Sequence, residues 1–376
     1  MIVNKKIPNF LLISIVPQKM TDDEAYIDIK ELVSLVEAQS GIVREIVIQK
    51  RELNEKGLYI GKGKIEEVKE IIINKKIDVV ILNSIVKPGQ IFEITQILEL
   101  AKRGIQVWDR VDLILKIFSQ HAVTAEAKLQ IELAIMRHMG PRIYGMGYIL
   151  SQQGGGIGTR GIGETNTELM KRHWRSAIHE VGKKLEKLHS DRQRQIDHRK
   201  RVGLKTISIV GYTNAGKTSL FNLLSGKENI VKNSLFVTLD ASVAKISLPN
   251  FPTQVLLSDT IGFIKNLPPD LIEAFKSTLL ESINADILLH VIDVTDKDME
   301  RKIYAVEEIM KELGVIDKKN IYVFNKTDDW DEINHDYILN KYQNFYPMFI
   351  SVKQVEGIDD LKEKIESVLI DIDNQK

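Results

Sequence analysis

The sequence predicts an α/β protein with a small N-terminal α/β domain, a long helical hairpin and a doubly wound domain that carries a phosphate-binding loop. Over residues 1–108, short apolar strands alternate with amphipathic helical segments. Strand patterns disappear over residues 109–201, where helical spacing dominates. In residues 202–376 strands and helices alternate again, and the pattern G-x-x-x-x-G-K-[ST] separates the first strand from the first helix. These changes of pattern place the domain boundaries near residues 108 and 201.

The composition excludes several classes of protein. The 376 residues include 52 basic and 52 acidic side chains, so any affinity for nucleic acid has to come from local patches. The absence of cysteine excludes disulfides, thiol catalysis and cysteine-based zinc sites. The apolar run Phe10–Val16 is too short for a signal peptide and is typical of a first strand, and no run reaches the length of a membrane span. We expect a cytoplasmic monomer.

The N-terminal domain is predicted to contain a largely parallel sheet. Its strands are expected at Leu11–Val16, Ile42–Gln49, Val79–Leu82 and Gly104–Trp108, with helices at Ile65–Ile73 and Ile91–Leu100. The run Gly61–Lys64 is similar to a truncated phosphate loop, but it lacks the required spacing and follows a weak strand. A tight turn that caps a helix beginning near Lys64 is the better interpretation, so we predict no second nucleotide site here.

The middle of the chain is predicted to form a helical hairpin with a glycine-rich loop at its tip. Helices are expected at Val111–Phe118 and Ala125–Met139, followed by a break at Gly140-Pro141. The loop Gly154–Thr165 comes next, and a long helix runs from about Glu168 to Arg201. Heptad-like spacing in this helix predicts antiparallel packing against the preceding one, and its positions are Ile178, Val181, Leu185 and Leu188.

The second helix of this hairpin is basic. Between Thr165 and Arg201 there are eleven Lys and Arg residues against five Asp and Glu. A basic helix is often only a solvated surface, but folding alone does not require a long glycine-rich loop beside it. Small residues can fit closely against an RNA backbone while basic side chains attract it. The pattern therefore favours contact with RNA or a ribonucleoprotein over the solvated-surface interpretation.

The run Gly211–Thr218 has the form of a phosphate-binding loop. An apolar strand ending at Val210 precedes it, and a helical pattern begins at Ser219. Backbone N–H groups in such a turn and at the helix N-terminus point at an anion, and the glycines let the main chain approach it. Lys217 is predicted to reach the β- and γ-phosphates, and the Thr218 hydroxyl to bind Mg²⁺.

Two later tetrapeptides indicate the nucleotide. Asp259-Thr260-Ile261-Gly262 ends a strand, so that Asp259 can hold Mg²⁺ through water and the Gly262 N–H can contact the γ-phosphate. Asn325-Lys326-Thr327-Asp328 ends another strand, and the Asp328 carboxylate can accept hydrogen bonds from the guanine N1–H and 2-amino group. Adenine lacks this donor pair, so it is rejected. The fold class is therefore a small α/β domain and helical hairpin followed by a doubly wound P-loop GTPase domain.

The predicted nucleotide contacts form one set. Asn325 ties the guanine loop to the phosphate loop, the Lys326 stem lies along the base, and main-chain groups at Ser351–Lys353 contact guanine O6. Catalytic roles are assigned to Lys217, Thr238 and Gly262, and the Mg²⁺ ligands are Thr218, Thr238 and Asp259. The full contact set is Gly211, Asn214, Ala215, Gly216, Lys217, Thr218, Ser219, Phe236, Thr238, Asp259, Gly262, Asn325, Lys326, Asp328, Ser351, Val352 and Lys353.

Two further positions bear on hydrolysis. Thr238 lies between the phosphate loop and Asp259, where a switch threonine would close onto Mg²⁺ and the γ-phosphate in the GTP state. Phe263 follows the D-x-x-G motif, where Ras-like sites carry a glutamine that orients the attacking water. A phenyl ring cannot form the hydrogen bonds of that glutamine. We therefore predict slow intrinsic hydrolysis that rises when a partner orders the switches or supplies the missing group.

With these residues in view, the chain resembles the HflX family of ribosome-associated GTPases over nearly its whole length. The GTPase motifs that carry the resemblance are GYTNAGKTSLFN, FVTLD, DTIGFIKNLPPDLIEAF and NKTD. Three segments outside the GTPase domain are more diagnostic, because other GTPases lack them. They are GKGKIEEV, DRVDLILKIFSQHAVTAEAKLQIELA and GGIGTRGIGETNTE. Thr218-Ser219 replaces the usual Ser-Thr of the family, and Val352 replaces an alanine. Many members carry a further C-terminal domain, which we do not expect in this chain.

The resemblance implies GTP and GDP as ligands, Mg²⁺ as cofactor, and binding to the large ribosomal subunit and its rRNA, with the hairpin approaching the peptidyl-transferase region. It further implies splitting or rescue of stalled 70S ribosomes under stress. Two alternatives stay open, namely a ribosome-assembly GTPase that recognises a precursor particle and a nucleotide-gated anchor on the subunit with little turnover. Residues 1–200 contain no phosphate loop that would support an ATP-driven activity of the N-terminal domain.

Overall fold

The chain forms two compact units, Met1–Gln120 with Ile131–Lys183 and His121–Gln130 with Lys184–Lys376. The computed structural model describes residues 7–52, 57–153, 160–227, 242–260, 262–265, 271, 275, 279–329 and 335–374. It describes the side chains of these residues except those within 143–167. Both long hairpin helices contribute residues to both units, so the boundaries at 108 and 201 stay predictions. Among the helices described, none combines the length and apolar character needed to cross a membrane.

A four-stranded parallel sheet lies at the centre of the first unit, in the order β2-β1-β3-β4. Its strands are β1 Asn9–Val16, β2 Ile42–Lys50, β3 Val79–Leu82 and β4 Gln106–Asp109. The connecting helices are α1 Asp22–Ala38, α2 Lys62–Asn74 and α3 Pro88–Glu99. Every residue of β3 is buried, as expected for a parallel strand covered on both faces. The predicted parallel sheet is therefore present.

Two helix starts in this unit are informative. The sequence analysis placed no helix at α1, although Thr21 and Glu24 form a reciprocal capping box, with Thr21 N donating to Glu24 Oε2 at 3.0 Å and Glu24 N donating to Thr21 Oγ1 at 3.3 Å. Gly61 precedes α2 as its N-cap residue, and its N–H donates to Gln49 Oε1 at 3.0 Å. The predicted turn thus caps α2, which begins two residues before Lys64.

The hairpin helices differ from the prediction. They are α4 Arg110–His121, α5 Ala125–Gln153 and α6 Arg160–Arg201. The predicted break at Gly140-Pro141 is wrong, because α5 continues through Pro141. Residues 160–165 of the predicted loop lie in α6, and residues 154–159 lie outside the described residues. Since a proline inside a helix removes one backbone hydrogen bond, contacts near it have to compensate for that loss.

A buried group of charged side chains, the Asp109 cluster, provides those contacts. It consists of Asp109, Asp112, His138 and Arg142. The Arg142 guanidinium lies 2.8 Å from Asp109 Oδ2 and 2.6 Å from Asp112 Oδ2. His138 Nε2 lies 3.2 Å from Asp109 Oδ1 and 3.3 Å from Asp112 Oδ1. Because residues i and i+4 share a helix face, these contacts lie on both sides of Pro141 and hold α5 together across it.

The two aspartates also fix the start of α4. Asp112 N donates to Asp109 Oδ1 and Asp109 N donates to Asp112 Oδ2, each at 2.9 Å. Although burial opposes ionisation, hydrogen bonds from His138 and the charge of Arg142 hold the pKa of Asp112 below its usual value. Asp109, Asp112 and His138 are close enough together to hold a metal ion. The guanidinium already supplies positive charge to both carboxylates, so we assign no metal site here.

Helices α5 and α6 are antiparallel, as predicted from the heptad-like spacing. Trp174 Nε1 donates to the Met136 carbonyl at 2.9 Å. Nearer the other ends of the helices, Arg192 NH1 lies 3.2 Å from Glu126 Oε2. In the direction in which the residue numbers of α6 increase, those of α5 decrease, so the two helices run in opposite directions. Val181, one of the predicted packing positions, is buried.

The second unit contains a six-stranded sheet in the order β10-β9-β8-β5-β7-β6. Its strands are β5 Thr206–Gly211, β6 Ser242–Ile246, β7 Val255–Asp259, β8 Ile287–Asp293, β9 Lys319–Asn325 and β10 Met348–Ile350. The helices are α7 Lys217–Ser225, α8 Leu280–Asn284, α9 Met299–Glu312, α10 His335–Lys341 and α11 Ile358–Asn374. All described pairs are parallel except β6 with β7. The carboxyl ends of five strands consequently meet at one edge.

Loss of one charge from the Asp109 cluster is expected to destabilise the first unit. Arg142→Met would leave two buried carboxylates without their guanidinium, which costs about 3–5 kcal/mol. Hydrogen exchange of the β1 and β3 amides measures this as a lower free energy of opening. Lys362→Met is the control, because Lys362 pairs with an exposed carboxylate, Asp359, and such pairs contribute at most about 1 kcal/mol. Equal losses in the two variants would contradict the prediction.

The same cluster predicts a pH dependence. Burial lowers the pKa of His138, but hydrogen bonds to Asp109 and Asp112 outweigh it and raise that pKa to about 9, from 6.5. The Arg142 guanidinium lies 2.8 Å from His138 Nε2 and disfavours a positive charge on the imidazole. The two carboxylates of Asp109 and Asp112 favour that charge and outweigh this single cation. The stabilising charge is complete below pH 6.5 and is lost as the pH rises through 9. We expect the thermal midpoint to fall over this window more steeply in the wild type than in His138→Gln.

Candidate nucleotide-binding site

The predicted phosphate loop lies at the carboxyl end of β5, next to β8. The chain leaves β5 toward β7 and leaves β8 toward β9, so these two strands form the switch point at which open α/β sheets bind ligands. Gly211 pairs with Val291 of β8. A Cβ on Gly211, whose φ is +147°, would lie 2.3 Å from the Val291 carbonyl oxygen. Only glycine fits this close approach of the two strands.

The turn itself requires a second glycine. Gly216 has a φ of +97° and precedes α7, and a Cβ there would lie 2.2 Å from Asn325 Nδ2. Asn214 also has a positive φ, of 64°. No side chain among the described residues caps α7, so the backbone N–H groups of its first turn, Lys217 to Ser219, can serve an anion. The loop has the form that phosphate binding needs.

Lys217 and Gly262 lie beside each other in this site. The Lys217 ammonium donates to the Tyr212 carbonyl at 2.6 Å and is buried. A Cβ on Gly262 would lie 3.1 Å from Lys217 Nζ, so the D-x-x-G glycine is adjacent to the lysine. Burial lowers the pKa of Lys217 to about 8, and the Asp259 carboxylate opposes that shift. The negative charge of bound phosphates would favour the ammonium form further.

Thr218 and Asp259 meet as the two oxygen donors expected of a magnesium site. The Thr218 hydroxyl donates to Asp259 Oδ2 at 2.8 Å, and Asp259 is fully buried at the end of β7. Mg²⁺ prefers hard oxygen ligands and usually keeps several waters, so one hydroxyl and one carboxylate beside the phosphates fit it. The other predicted ligand, Thr238, lies with Phe236 outside the described residues.

Backbone hydrogen bonds join the D-x-x-G segment to the phosphate loop. Phe263 N donates to the Gly211 carbonyl at 3.1 Å, and Thr213 N donates to the Phe263 carbonyl at 2.9 Å. The Phe263 side chain is only 1% exposed. It is therefore part of the packed interior, and it cannot orient a water molecule at the γ-phosphate. This burial agrees with the sequence analysis, in which Phe263 cannot replace the glutamine that orients the attacking water.

One amide, that of Asn325, connects three loops. Its Nδ2 donates to the Ala215 carbonyl of the phosphate loop at 2.9 Å. Its Oδ1 accepts from Val352 N at 3.2 Å, in the loop after β10. Asn325 itself ends β9. The predicted link between the guanine loop and the phosphate loop is present, and it extends to the third predicted loop.

The Asp328 carboxylate is held in place by its neighbours. Ser351 Oγ donates to Asp328 Oδ1 at 2.7 Å, and Lys353 Nζ lies 3.0 Å from Oδ2. The hydrogen bond from Ser351, followed by that from Lys353, holds the pKa of Asp328 below its usual value. The carboxylate is thus an ionised acceptor, as recognition of two guanine N–H donors requires. Ser351 and Lys353 act through this side chain, in addition to any main-chain contact with O6.

The sequence analysis missed two residues of this region. Asp293, at the end of β8, accepts a hydrogen bond from Lys326 Nζ at 2.5 Å, which holds the lysine stem. Its position at a strand end, like that of Asp259, was the available signal. His290 of β8 is buried, and burial together with the charge of Lys217 lowers its pKa to about 3. A neutral imidazole there adds no charge beneath the phosphate loop.

Three family models match successive parts of the chain. A model described as a GTP-binding GTPase N-terminal region matches residues 27–119, and one described as a GTP-binding GTPase middle region matches residues 121–199. A model described as a 50S ribosome-binding GTPase matches residues 206–326. The third match contains the phosphate loop, the D-x-x-G segment and Asn325.

Solved structures with bound GDP share this architecture. A crystal structure of SsGBP in complex with GDP aligns with a TM-score of 0.54 at 26% identity, covering 97% of this chain and 99% of that one. A GTP-binding protein from Sulfolobus solfataricus in complex with GDP aligns with a TM-score of 0.50 at 26% identity, covering 97% and 100%.

Sequence relatives agree over most of the chain. GTPase HflX from Caldanaerobacter subterraneus subsp. tengcongensis is 43% identical over 348 residues, which are 93% of this chain and 78% of that protein. GTPase HflX from Escherichia coli K12 is 35% identical over 308 residues, which are 82% and 71% of the two chains. The resemblance found in the sequence motifs is confirmed, and the chain belongs to the HflX family of P-loop GTPases.

Proposed function

We propose that the protein is a GTP-hydrolysing switch that acts on the large ribosomal subunit and splits or rescues stalled 70S ribosomes under stress. The observation that carries the proposal is a guanine-nucleotide site on the same chain as an exposed basic helix. The match of residues 206–326 to a 50S ribosome-binding GTPase supports the subunit as partner. Mg²⁺ as cofactor, a monomeric state and a cytoplasmic location belong to the same proposal.

Hydrolysis in this site depends on position and charge. Water attacks the γ-phosphorus, the bond to the β-phosphate oxygen breaks, and GDP and phosphate leave. Lys217 and the N–H groups at the start of α7 would stabilise the charge that develops on the phosphate oxygens. Thr218, Thr238 and Asp259 would hold Mg²⁺, which neutralises part of that charge. Gly262 N–H would sense the γ-phosphate, because its Cα is packed beside Lys217 and Thr213.

An exposed basic stripe on α6 supports the proposal that RNA of the partner contacts this helix. Residues three or four positions apart lie on one side of a helix, and five exposed basic or histidine side chains follow this spacing. They are Arg172, Arg175, His179, Lys183 and Lys187. A row of such side chains can follow a phosphate backbone, which carries the largest share of protein affinity for RNA helices. Because the total charge is zero, the rest of the chain is net negative, so any attraction for RNA has to come from this stripe itself.

The buried Phe263 explains why a partner is needed. No side chain among the described residues of the D-x-x-G segment can take the place of a water-orienting glutamine, since Phe263 is interior and Thr260 donates to the Ile209 carbonyl at 2.6 Å. A partner that orders Thr238 or supplies a polar group would complete the site. The two alternatives keep the same nucleotide site: an assembly GTPase would recognise a precursor particle, and an anchor would release GDP slowly without stimulated turnover.

Asp328→Asn is expected to change the base preference. The amide replaces one acceptor with a donor, so affinity for GTP should fall by about 10²-fold or more, as for a site that leaves polar groups unpaired. Xanthine carries a carbonyl in place of the 2-amino group, so affinity for xanthosine triphosphate should rise. Fluorescence titration with labelled nucleotides measures both. Asp329→Asn, an exposed neighbour in the same loop, should change neither affinity. Unchanged GTP affinity in Asp328→Asn would exclude the predicted base contact.

GTP turnover with and without purified large subunits tests the proposed function. We expect slow turnover alone and a stimulation of at least about tenfold by subunits, because the partner completes the site. Thr238→Ala should abolish the stimulation. Fast turnover without subunits would show that the interpretation of Phe263 is wrong. Slow turnover that subunits leave unchanged would favour another partner or the anchor, and precursor particles accumulating in depleted cells would favour assembly.

Variants of the basic stripe provide the matched control for that experiment. Arg175→Glu combined with Lys183→Glu should lower the stimulation while turnover alone stays constant. Lys311→Glu combined with Lys319→Glu changes the net charge by the same amount at two exposed lysines outside α6, and it should leave the stimulation intact. Equal effects of both changes would mean that only net charge, and no specific surface of α6, attracts the subunit.

A further inference from the structure

Glu281 is a buried carboxylate that the nucleotide site does not use. Its residue is 2% exposed, and it lies in the first turn of α8. Arg199 NH1 lies 3.1 Å from both of its oxygens, and Arg192 Nε lies 3.8 Å from Oε1. Arg192 NH1 also donates to Glu126 Oε2 at 3.2 Å. We call these four residues, Glu126, Arg192, Arg199 and Glu281, the Glu281 cluster.

The cluster fixes the last turns of α6 to α8. Arg192 and Arg199 are seven residues apart, which is two helical turns, and Ile196 between them is 4% exposed. Lys200 adds a contact by donating to Asn284 Oδ1 at 2.7 Å. A buried charge needs a hydrogen-bonded partner, and both arginine partners of this carboxylate come from α6. The end of α6 therefore has a defined position on α8.

Helix α8 is joined to the strand before the phosphate loop, and described backbone hydrogen bonds extend from it back to Leu271. Ser282 Oγ lies 2.8 Å from Ser208 Oγ of β5, the strand that leads into Gly211. In the other direction along the chain, backbone hydrogen bonds at helical spacing connect Ile283 to Leu279, Leu279 to Phe275, and Phe275 to Leu271. These residues follow the D-x-x-G segment in the sequence. Leu271, Phe275 and Leu279 are each 1% exposed, so these three side chains are part of the packed interior.

We propose that Glu281 is a positioning residue that couples the state of the D-x-x-G segment to helix α6. The proposal rests on the proposed function in treating the chain as a nucleotide switch, and it names the residue through which the switch reaches the basic helix. Charge-assisted hydrogen bonds are directional, whereas apolar contacts allow sliding. A shift of α8 or of the segment before it is therefore passed to Arg192 and Arg199. By reciprocity, a force on α6 acts on the nucleotide site through the same contacts.

Hydrogen exchange of the α6 amides between Lys184 and Arg201 tests this coupling without any ribosome. The full-length protein is compared with GDP and with a non-hydrolysable GTP analogue. We expect exchange rates in this stretch of the wild type to differ by about fivefold or more between the two nucleotides, the usual lower range of coupling between sites. In Glu281→Gln the ratio should approach one. Affinity for both nucleotides and turnover without subunits should stay within about twofold of the wild type, since Glu281 does not touch the ligand.

Three further variants separate coupling from stability. Glu366→Gln changes another buried carboxylate of the same unit, which accepts from Asn250 N at 3.3 Å and has no described contact with α6. This variant should keep the wild-type ratio. Arg199→Lys keeps the charge and should retain part of the ratio, whereas Arg199→Ala should lose it. Should Glu281→Gln fail to fold, the Arg199 pair gives the same information.

Two results of the exchange experiment would overturn the proposal, and one result of the turnover experiment would do the same. One is a wild-type ratio near one, and the other is the same ratio in Glu281→Gln and the wild type. The proposed function is decided separately by subunit stimulation of the wild type. If exchange shows coupling but subunits do not stimulate turnover, the Glu281 cluster stands and the proposed stimulation by the subunit is wrong. If subunits stimulate the wild type and Glu281→Gln equally, the cluster does not carry the signal.

Discussion

The hydrogen bonds of the Asn325 amide are the constraint on which the nucleotide site depends. The amide accepts from the loop after β10 and donates to the phosphate loop after β5, while its own residue ends β9. These loops come from three strands, and none of them has regular structure that would fix its position. One side chain therefore sets the distance between the groups that bind phosphate and those that bind guanine. The close contact of Asn325 Nδ2 with Gly216 explains why that turn has no space for a Cβ.

Buried carboxylates perform a related task for the hairpin helices. In the first unit, Asp109 and Asp112 hold α5 through His138 and Arg142. In the second unit, Glu281 holds α6 through arginines. A buried ion pair contributes little net stability compared with apolar packing, but it penalises every arrangement that separates the charges. Both clusters thus specify where a long helix lies, which matters for a helix whose exposed face is the proposed contact with RNA.

The site also separates binding from hydrolysis. The described residues that are predicted to bind phosphate, magnesium and guanine are held by short-range contacts at one sheet edge. The residue after the D-x-x-G motif is instead committed to the interior as Phe263. In the proposed function, hydrolysis therefore depends on groups outside the described residues or outside the chain. This division is the physical basis for our proposal that turnover responds to a partner.

The sequence by itself determined the strands, the three nucleotide motifs and the family, because each rests on local hydrogen bonding and on residues at fixed spacing. Asp259 and Asn325 could be placed at the site because parallel strands bring their carboxyl ends to one edge. The tertiary structure decided what depends on distant partners. Pro141 looked like a helix end, since its local cost is evident and the compensating Asp109 and Asp112 lie about thirty residues earlier. Glu281 carried no motif at all, and only folding placed it against Arg199, because a buried charge is defined by its partner and not by its neighbours in the chain.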